Sequence, residues 1–224
     1  MFKKKPIPVF LFTGFLDSGK TTFIKETLAE GQFEDGRNML YILCEEGEVE
    51  ITGTMIKNNH LTIKTIEDEE DVSAELFARF DSEAHPARVM IECNGMWDVN
   101  AELLKQWDKT YKPHRVIIEC NGMWDQNEIL EAMPAHWELA EGITTVDSTT
   151  FESYLANMKM MMTNQFINAD LVVFNRCTED HDRAMFKRMV RAVNRRAQVL
   201  YEDPEGNVDN KCDEELPYDI NADI

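Results

Sequence analysis

Eight consecutive residues near the start of the chain have the types and spacing needed to bind phosphate groups. The segment 14–21 reads Gly-Phe-Leu-Asp-Ser-Gly-Lys-Thr, which fits the pattern Gly-x-x-x-x-Gly-Lys-Ser/Thr. Glycines at both ends let backbone N–H groups turn inward, the ammonium of Lys20 can neutralise the outer phosphates, and the hydroxyl of Thr21 can bind Mg²⁺. The pattern therefore predicts a site for a magnesium nucleoside triphosphate. The predicted nucleotide contacts are Gly14, Asp17, Ser18, Gly19, Lys20, Thr21 and Thr22.

The segments on both sides of this loop indicate where it lies in the fold. The β-branched and aromatic run 7–13 predicts a buried strand, and 21–30 predicts a helix that begins at the loop. The positive end of such a helix favours a bound phosphate. Further strands are predicted at 39–44, 142–146, 169–174 and 198–202, and further helices at 151–165 and 179–196. We therefore expect an α/β protein, a three-layer P-loop NTPase fold with a mostly parallel sheet.

The middle of the chain contains a tandem duplication with an offset of 27 residues. The segment 88–98, Arg-Val-Met-Ile-Glu-Cys-Asn-Gly-Met-Trp-Asp, recurs with one substitution at 115–125. Weaker similarity upstream extends the two copies to 76–102 and 103–129, so each copy is one αβ unit. A parallel sheet accepts an additional strand when a helix provides the crossover.

Each copy ends its strand on a glutamate followed by Cys-Asn-Gly, which places a carboxylate and a glycine at the carboxyl edge of the sheet. Open α/β sheets bind ligands at that edge. Glu119, or its twin Glu92, is expected to bind the Mg²⁺ shell or to position water, and Gly122 to offer its N–H to the γ-phosphate. The onward path of the chain favours Glu119, whereas spacing from the acidic cluster 67–71 favours Glu92.

The composition excludes several classes of partner. The 224 residues carry 42 acidic and 23 basic side chains, a formal charge of −19, which argues against nucleic acid and anionic membranes as partners. No apolar stretch reaches the roughly 18 residues that a membrane span requires, and the five cysteines show no disulfide pattern. We expect a cytoplasmic protein with reduced thiols, one domain over 1–203 and an acidic tail or linker at 204–224.

Two further sets of residues are candidate metal ligands. Glu46 lies in the acidic loop 45–48 after the second predicted strand and could approach the Mg²⁺. A transition metal such as Zn²⁺ would draw on that loop and on Cys44, Cys93, Cys120 and His60. No two cysteines are closer than 27 residues, so such a site would have to be assembled at long range. The alternative is that these thiols are small buried side chains at strand ends.

Several motifs, in this order along the chain, resemble the CobW/HypB/UreG family of P-loop GTPases. They are the loop 14–22, the acidic segment 45–51, the strand end 118–123, the pair 146–147 and the strand that ends at Asn175. The resemblance covers about residues 6–203. Members of that family couple GTP binding and slow hydrolysis to metal delivery. The resemblance implies GTP as the nucleotide, a client metalloprotein as partner, a Walker-B carboxylate at Glu119 or Glu92, and a base-reading role for Asn175.

Three features depart from the pattern of that family. Its Cys-x-Cys-Cys metal motif is absent, and the corresponding stretch 58–71 is acidic and has no thiol, which puts thiolate metal transfer in doubt. Residues 175–178 read Asn-Arg-Cys-Thr and lack the aspartate that accepts two hydrogen bonds from guanine. Selectivity for guanine is therefore expected to be weaker unless Asp180 substitutes. The duplication is the third departure.

Three classes of function remain open at this stage. The first is a Mg²⁺-dependent nucleoside triphosphatase, acting on GTP or ATP, that switches a partner-binding or metal-handling surface. The second is a nucleotide-binding interaction module in which the duplicated strand has displaced the carboxylate and turnover is lost. The third is an ATP-dependent small-molecule kinase, because a phosphate loop alone identifies neither the base nor the phosphate acceptor.

Overall fold

The computed structural model describes residues 5–43, 51–66, 72–93, 100–120 and 122–208. Its strands are β1 Ile7–Thr13, β2 Met39–Leu43, β3 Leu61–Thr65, β4 Arg88–Cys93, β5 Arg115–Cys120, β6 Trp137–Asp147, β7 Leu171–Asn175 and β8 Gln198–Tyr201. Its helices are α1 Lys20–Ala29, α2 Gly53–Asn58, α3 Ala74–Ala84, α4 Ala101–Tyr111, α5 Gln126–Ala132, α6 Phe151–Asn157, α7 Lys159–Asn164 and α8 Arg183–Val193.

These strands form an 8-stranded sheet in the order β3-β2-β4-β5-β1-β6-β7-β8. Every neighbouring pair is parallel. The prediction of an α/β fold with a mostly parallel sheet is confirmed. Because the carboxyl ends of parallel strands meet at one edge, the loops that follow β1, β5, β6, β7 and β8 converge there.

Helices cover both faces of the sheet. Leu11 of β1 belongs to a core cluster that contains Trp107 of α4. Its neighbour Phe12 belongs to a second cluster that contains Ile24 of α1. Because successive side chains of a strand point to opposite faces, these two clusters lie on opposite sides of β1. The result is the predicted arrangement of a sheet between two helical layers.

The two copies of the duplicated unit lie side by side. β4 and β5 pair in register from Arg88↔Arg115 to Cys93↔Cys120. The helices that precede them also end alike, since His85 and Lys112 both adopt left-handed backbone conformations with φ of 43° and 46°. β5 pairs with β1, whereas β4 lies between β5 and β2. Only the second copy is therefore adjacent to the strand that leads into the phosphate loop.

Several elements differ from the predictions. α2 and β3 are not predicted from the sequence. α2 is only 6 residues long, and the stretch 58–71 that contains β3 is assigned above to the counterpart of the family's metal motif, although the apolar and polar residues of β3 alternate as in a strand. The predicted helix 151–165 is two helices, since Met158 leaves the helical conformation with φ −134° and ψ 42°. The predicted helix 179–196 begins later, because the side chain of Asp182 accepts a hydrogen bond from the N–H of Met185 and caps α8.

The start of β6 and the start of the tail also differ from the predicted boundaries. β6 begins at Trp137 rather than at residue 142. The chain continues in ordered contact beyond residue 204, because the N–H of Asp203 donates to the carbonyl of Asn207 at 3.0 Å and Val208 forms a bridge with Glu202. Residues 209–224 of the predicted tail lie outside the described residues. Within the described ranges, none of the helices has the length and apolar character needed to cross a membrane.

Candidate nucleotide site

The loop between β1 and α1 has a backbone that favours glycine at its two fixed positions. Gly14 and Gly19 have φ of 143° and 89°. A Cβ at Gly14 would lie 2.5 Å from the carbonyl oxygen of Thr145, and one at Gly19 would lie 2.3 Å from Nδ2 of Asn175. α1 begins directly after Gly19, so its first N–H groups point toward the loop. Backbone donors and the positive end of a helix therefore meet at this loop, as phosphate binding requires.

Lys20 lies across the loop. Its Nζ donates hydrogen bonds to the carbonyl oxygens of Gly14 and Phe15, at 2.9 and 3.0 Å. Burial lowers the pKa of Lys20, and the negative charges of Glu119 and Glu92 act in the opposite direction. The ammonium is therefore held at the mouth of the loop, close to the strand ends of both copies.

Thr21 and Glu119 connect α1 to β5. The hydroxyl of Thr21 donates to Oε1 of Glu119 at 2.8 Å. Glu119 is 3% exposed, and among the described residues its buried Oε2 has no hydrogen-bond partner. Burial raises the pKa of this carboxyl. The charge of Lys20 and the hydrogen bond from Thr21 act to lower it, but burial has the larger effect. A buried oxygen without a partner is costly, and a hard cation or its bound water suits a carboxylate and a hydroxyl. The pair fits the predicted Mg²⁺ ligands.

Gly122 packs directly on the phosphate loop. A Cβ at this position would lie 2.5 Å from both the carbonyl carbon and the carbonyl oxygen of Gly14. The carbonyl oxygen of Gly122 accepts a hydrogen bond from Nε2 of Gln165 at 2.7 Å. Glycine is needed here for space, because a side chain would meet backbone atoms of the phosphate loop. The position suits the predicted sensing of the γ-phosphate, and the supporting Gln165 was not identified from the sequence.

Three other predicted contact residues take different positions around the loop. Ser18 is buried, and its hydroxyl is 2.8 Å from Oγ1 of Thr145, so its side chain anchors the loop to β6. Asp17 is exposed and has a left-handed φ of 58°. Thr22 is exposed and lines a pocket beside the loop. Within this group, Ser18 contributes to the shape of the loop and Thr22 faces open space.

Asn175 and Arg176 hold the loop from the side of β7. Nδ2 of Asn175 donates to the carbonyl oxygen of Ser18 at 2.5 Å. Nη1 of Arg176 donates to the carbonyl oxygen of Asp17 at 3.0 Å and also pairs with the carboxylate of Asp147. Partial burial acts to raise the pKa of Asp147, but the hydrogen bonds from Thr149 and Arg176 lower it by more, so the pKa lies below its usual value. Asn175, predicted to read the base, thus also fixes the loop backbone.

A pocket opens between this loop and the ends of β7 and β8. Its walls include Gly19 and Thr22 on the loop side and Asn175, Arg176 and Glu202 on the far side. Burial, followed by the negative charges of its acidic neighbours, raises the pKa of Glu202 to about 7. The carboxylate of Glu202 was not singled out from the sequence. Its position at a strand end on the ligand-binding edge is the signal that would have identified it.

The candidate transition-metal ligands are not assembled among the described residues. His60 immediately precedes β3 and its carbonyl accepts from the N–H of Met39, which places it at the amino edge of the sheet. Cys120 ends β5 at the opposite edge of the sheet, so the structure does not bring His60 and Cys120 together. Cys120 is buried in the core, and burial raises the pKa of its thiol, which disfavours a thiolate ligand.

The remaining candidates fall where the structure gives no description. Cys44, Glu46 and the rest of loop 45–48 lie outside the described residues, as does the side chain of Cys93. Across the described part of the chain, no group of three or more His, Cys, Asp or Glu side chains is arranged to hold a metal ion.

Replacing Gly122 by alanine should destabilise the protein through the phosphate loop. The added methyl would meet backbone atoms of Gly14 at 2.5 Å, and a shift of the backbone is required to accommodate it. We expect the free energy of unfolding to fall by about 1–3 kcal/mol, measured by urea denaturation. Gly53→Ala is the matched control, because a Cβ there meets nothing within 4 Å. Equal stability of the two variants would contradict the close contact.

The chain matches the CobW/HypB/UreG nucleotide-binding domain over residues 8–110 and 93–201, two segments that overlap between the strands of the duplicated unit. It is similar to the zinc chaperone YjiA of Escherichia coli (strain K12), with 34% identity over 104 residues, which is 42% of this chain and 32% of that relative.

Solved structures show the same fold at lower identity. The Zn(II)-bound YjiA GTPase of E. coli superposes with a TM-score of 0.55 at 22% identity, covering 99% of this chain and 64% of that one. A Zn(II)-bound triple mutant of YjiA gives a TM-score of 0.55 at 21% identity, covering 97% and 63%. This chain thus spans less than two thirds of the length of these relatives. Because the family match extends over most of the chain, the protein belongs to the CobW/HypB/UreG family of nucleotide-binding domains.

Proposed function

We propose that this protein binds a magnesium nucleoside triphosphate, with GTP as the preferred nucleotide, and slowly hydrolyses its β–γ phosphoanhydride bond. The proposal depends on the contact between Thr21 and Glu119, which places a hydroxyl and a buried carboxylate 2.8 Å apart beside Lys20. Family membership supports hydrolysis as the reaction. In this proposal the nucleotide state controls a surface that handles metal ions or binds a client protein.

The residues of the site would act by positioning and by charge. The ammonium of Lys20 supplies positive charge beside the loop, and the first turn of α1 presents its N–H groups to the same space. Glu119 orients the Thr21 hydroxyl through Oε1 and leaves Oε2 for the metal shell. Mg²⁺, when bound, would neutralise phosphate charge and orient the terminal phosphate. In such a site the protein forms no covalent bond with the nucleotide and acts by positioning and charge alone.

The two other classes of function have less support. An interaction module without turnover was expected if the duplicated strand displaced the catalytic carboxylate. Glu119 instead lies on β5 beside β1 and contacts Thr21, so the additional strand leaves that carboxylate next to the loop. A small-molecule kinase would require an acceptor site, whereas the family of this chain groups it with nucleotide-binding domains of GTPases.

Metal handling is proposed from the relatives. One of them is named a zinc chaperone, and its crystal structure is described as Zn(II)-bound. Cys44 directly follows β2 in sequence and precedes the acidic loop 45–48, which gives a thiol and carboxylates in one short segment. We propose that Zn²⁺, if it is the metal handled, uses Cys44 as a ligand.

Removing the ammonium of Lys20 should abolish turnover. Lys20→Ala is expected to lower the rate of phosphate release by about 100-fold or more, because the charge beside the phosphates is lost. Phosphate release with GTP at millimolar Mg²⁺ measures this. Lys25→Ala on the same helix is the control and should retain the rate of the wild type. Equal rates for all three proteins would contradict the proposed site.

The duplication provides a matched pair of variants for the carboxylate. Glu119→Gln keeps an oxygen for the Thr21 hydrogen bond but removes the charge. We expect the concentration of Mg²⁺ needed for half-maximal hydrolysis to rise about tenfold or more, as expected for loss of a metal-binding charge. Glu92→Gln should change it by less than about threefold, because β4 is one strand further from the loop. A larger effect of Glu92→Gln would reverse the assignment between the two copies.

Zinc binding can be tested separately from hydrolysis. Titration against a chromophoric chelator should show weaker Zn²⁺ binding by Cys44→Ser, by about tenfold or more, because a thiolate ligand is lost. Cys120→Ser is the control, since its thiol is buried and its raised pKa disfavours the thiolate. Unchanged affinity in the Cys44 variant would remove this cysteine from the proposal.

A further inference from the structure

The pocket beside the phosphate loop is the natural position for the base of a bound nucleotide. Gly19 and Thr22 form one wall, and the same two residues belong to the phosphate loop and the first turn of α1. A nucleotide with its phosphates on that loop would extend its base toward the ends of β7 and β8. Asn175 and Arg176 line that end of the pocket. This location rests on the proposed function, because it takes the loop to hold the phosphates.

The residues expected to accept hydrogen bonds from a guanine base do not line this pocket. Thr178 stands where the family motif has aspartate, and its N–H donates to Nδ1 of His181 at 2.9 Å. Asp180, the predicted substitute, is exposed in the turn after β7 and is not part of the pocket wall. The expectation that Asp180 could replace the missing aspartate therefore has no support in this geometry.

Glu202 is held next to Asn175 by the backbone. Its N–H donates to the carbonyl of Phe174 at 2.9 Å, and its own carbonyl accepts from the N–H of Cys177 at 2.7 Å. These two bonds fix the end of β8 on both sides of the Asn175–Arg176 segment. The half-buried side chain of Glu202 then lines the pocket that Asn175 also lines.

We propose that the carboxylate of Glu202 accepts hydrogen bonds from the N1–H and N2–H groups of guanine, in place of the aspartate that the family motif supplies. An ionised carboxylate offers two acceptor oxygens, which match two adjacent donors on the edge of guanine. Adenine has an acceptor at N1 and no amino group at C2, so it cannot make this pair. Glu202 therefore provides a preference for GTP that residues 175–178 alone do not.

A second polar group of the pocket wall, besides Glu202, is available to a ligand. Oδ1 of Asn175 is buried and, among the described residues, has no hydrogen-bond partner, so the pocket wall contains a second polar group that a ligand can satisfy. The other charged side chains that line this pocket are Glu26 of α1, Asp203 and Glu205 of the following turn, and Arg176, and of these Glu26 and Asp203 act on the charge of Glu202. The described residues nevertheless include no cluster of three or more side chains arranged to hold a metal.

The charge of Glu202 makes the base preference depend on pH. Burial, with the charges of Glu26 and Asp203, raises the pKa of Glu202 to about 7. Guanine needs the ionised form, so affinity for GTP should be high above this pKa and should fall as the pH drops through it. Bound guanine would in turn favour the ionised form and lower the pKa. Adenine at N1 and N6 can pair with the protonated carboxyl, so the preference for GTP over ATP should narrow at lower pH.

The affinities of GTP, ITP and ATP are measured by competition with a fluorescent triphosphate, at pH 6 and pH 8. At pH 8, Glu202→Gln should weaken the binding of GTP by about tenfold or more and leave the binding of ATP unchanged, because a hydrogen bond to a charged group is lost only for guanine. ITP lacks the N2 amino group and should bind the wild type more weakly than GTP. Glu138→Gln removes an exposed charge near the amino end of β6, outside the pocket, and should retain the preference of the wild type.

The outcomes separate this inference from the proposed function. If Glu202→Gln keeps the GTP-to-ATP ratio of the wild type, the base-reading role of Glu202 is wrong, whereas the phosphate loop proposal stands. The pH series on the wild type is independent of whether the variant folds, and a ratio that is the same at pH 6 and pH 8 would also overturn the inference. If the wild type binds none of the three nucleotides, the proposed function and the inference fail together.

Discussion

The parallel pairing of β5 with β1 determines how close a buried carboxylate can come to the phosphate loop. Phe12 of β1 is in register with Glu119 of β5, one residue before β1 ends. Glu119 therefore emerges beside the start of the loop, where the hydroxyl of Thr21 reaches it at 2.8 Å. The close packing of Gly122 on Gly14 follows from the same pairing, because Gly122 comes two residues after the end of β5. The phosphate side of the site is thus defined by one pair of strands.

The other side of the loop depends on β6 and β7. Ser18 contacts Thr145 of β6 through its hydroxyl, and its carbonyl accepts from the side chain of Asn175. Arg176 adds a bond to the carbonyl of Asp17 and an ion pair with Asp147. A loop held at several backbone carbonyls keeps its N–H groups available for a ligand. The residues that form these contacts also line or border the proposed base pocket, so loop shape and base recognition are linked through the end of β7.

Local patterns were sufficient to predict the loop and the class of fold. The spacing of Gly14, Gly19 and Lys20, with an apolar run before it and a helix after it, is a signal contained within about 25 residues. The local sequence could not decide between Glu92 and Glu119, because the two copies are nearly identical. Only the order of strands in the sheet distinguishes them, and that order depends on contacts between distant parts of the chain.

Other errors have equally specific causes. Met158 interrupts the predicted helix 151–165 although methionine favours helices, so no local residue preference announces the break. The residues of β3 alternate between apolar and polar as in a strand, but the strand is short and lies in the stretch 58–71, which was assigned to the counterpart of the family's metal motif. Glu202 was included at the end of a predicted strand, but its role depends on the loop that follows β7, which the sequence alone does not place beside it.

The inserted strand β4 also acts as a spacer within the sheet. β2 lies three strand positions from β1, because both β4 and β5 intervene. At about 4.8 Å per strand, this separation is roughly 14 Å, whereas a sheet with one copy of the unit would place β2 roughly 10 Å from β1. The carboxyl ends of β1 and β2 are therefore further apart at the ligand-binding edge than in a sheet with one copy. Any change transmitted through the sheet from β2 to β1 would have to cross both copies of the duplicated unit.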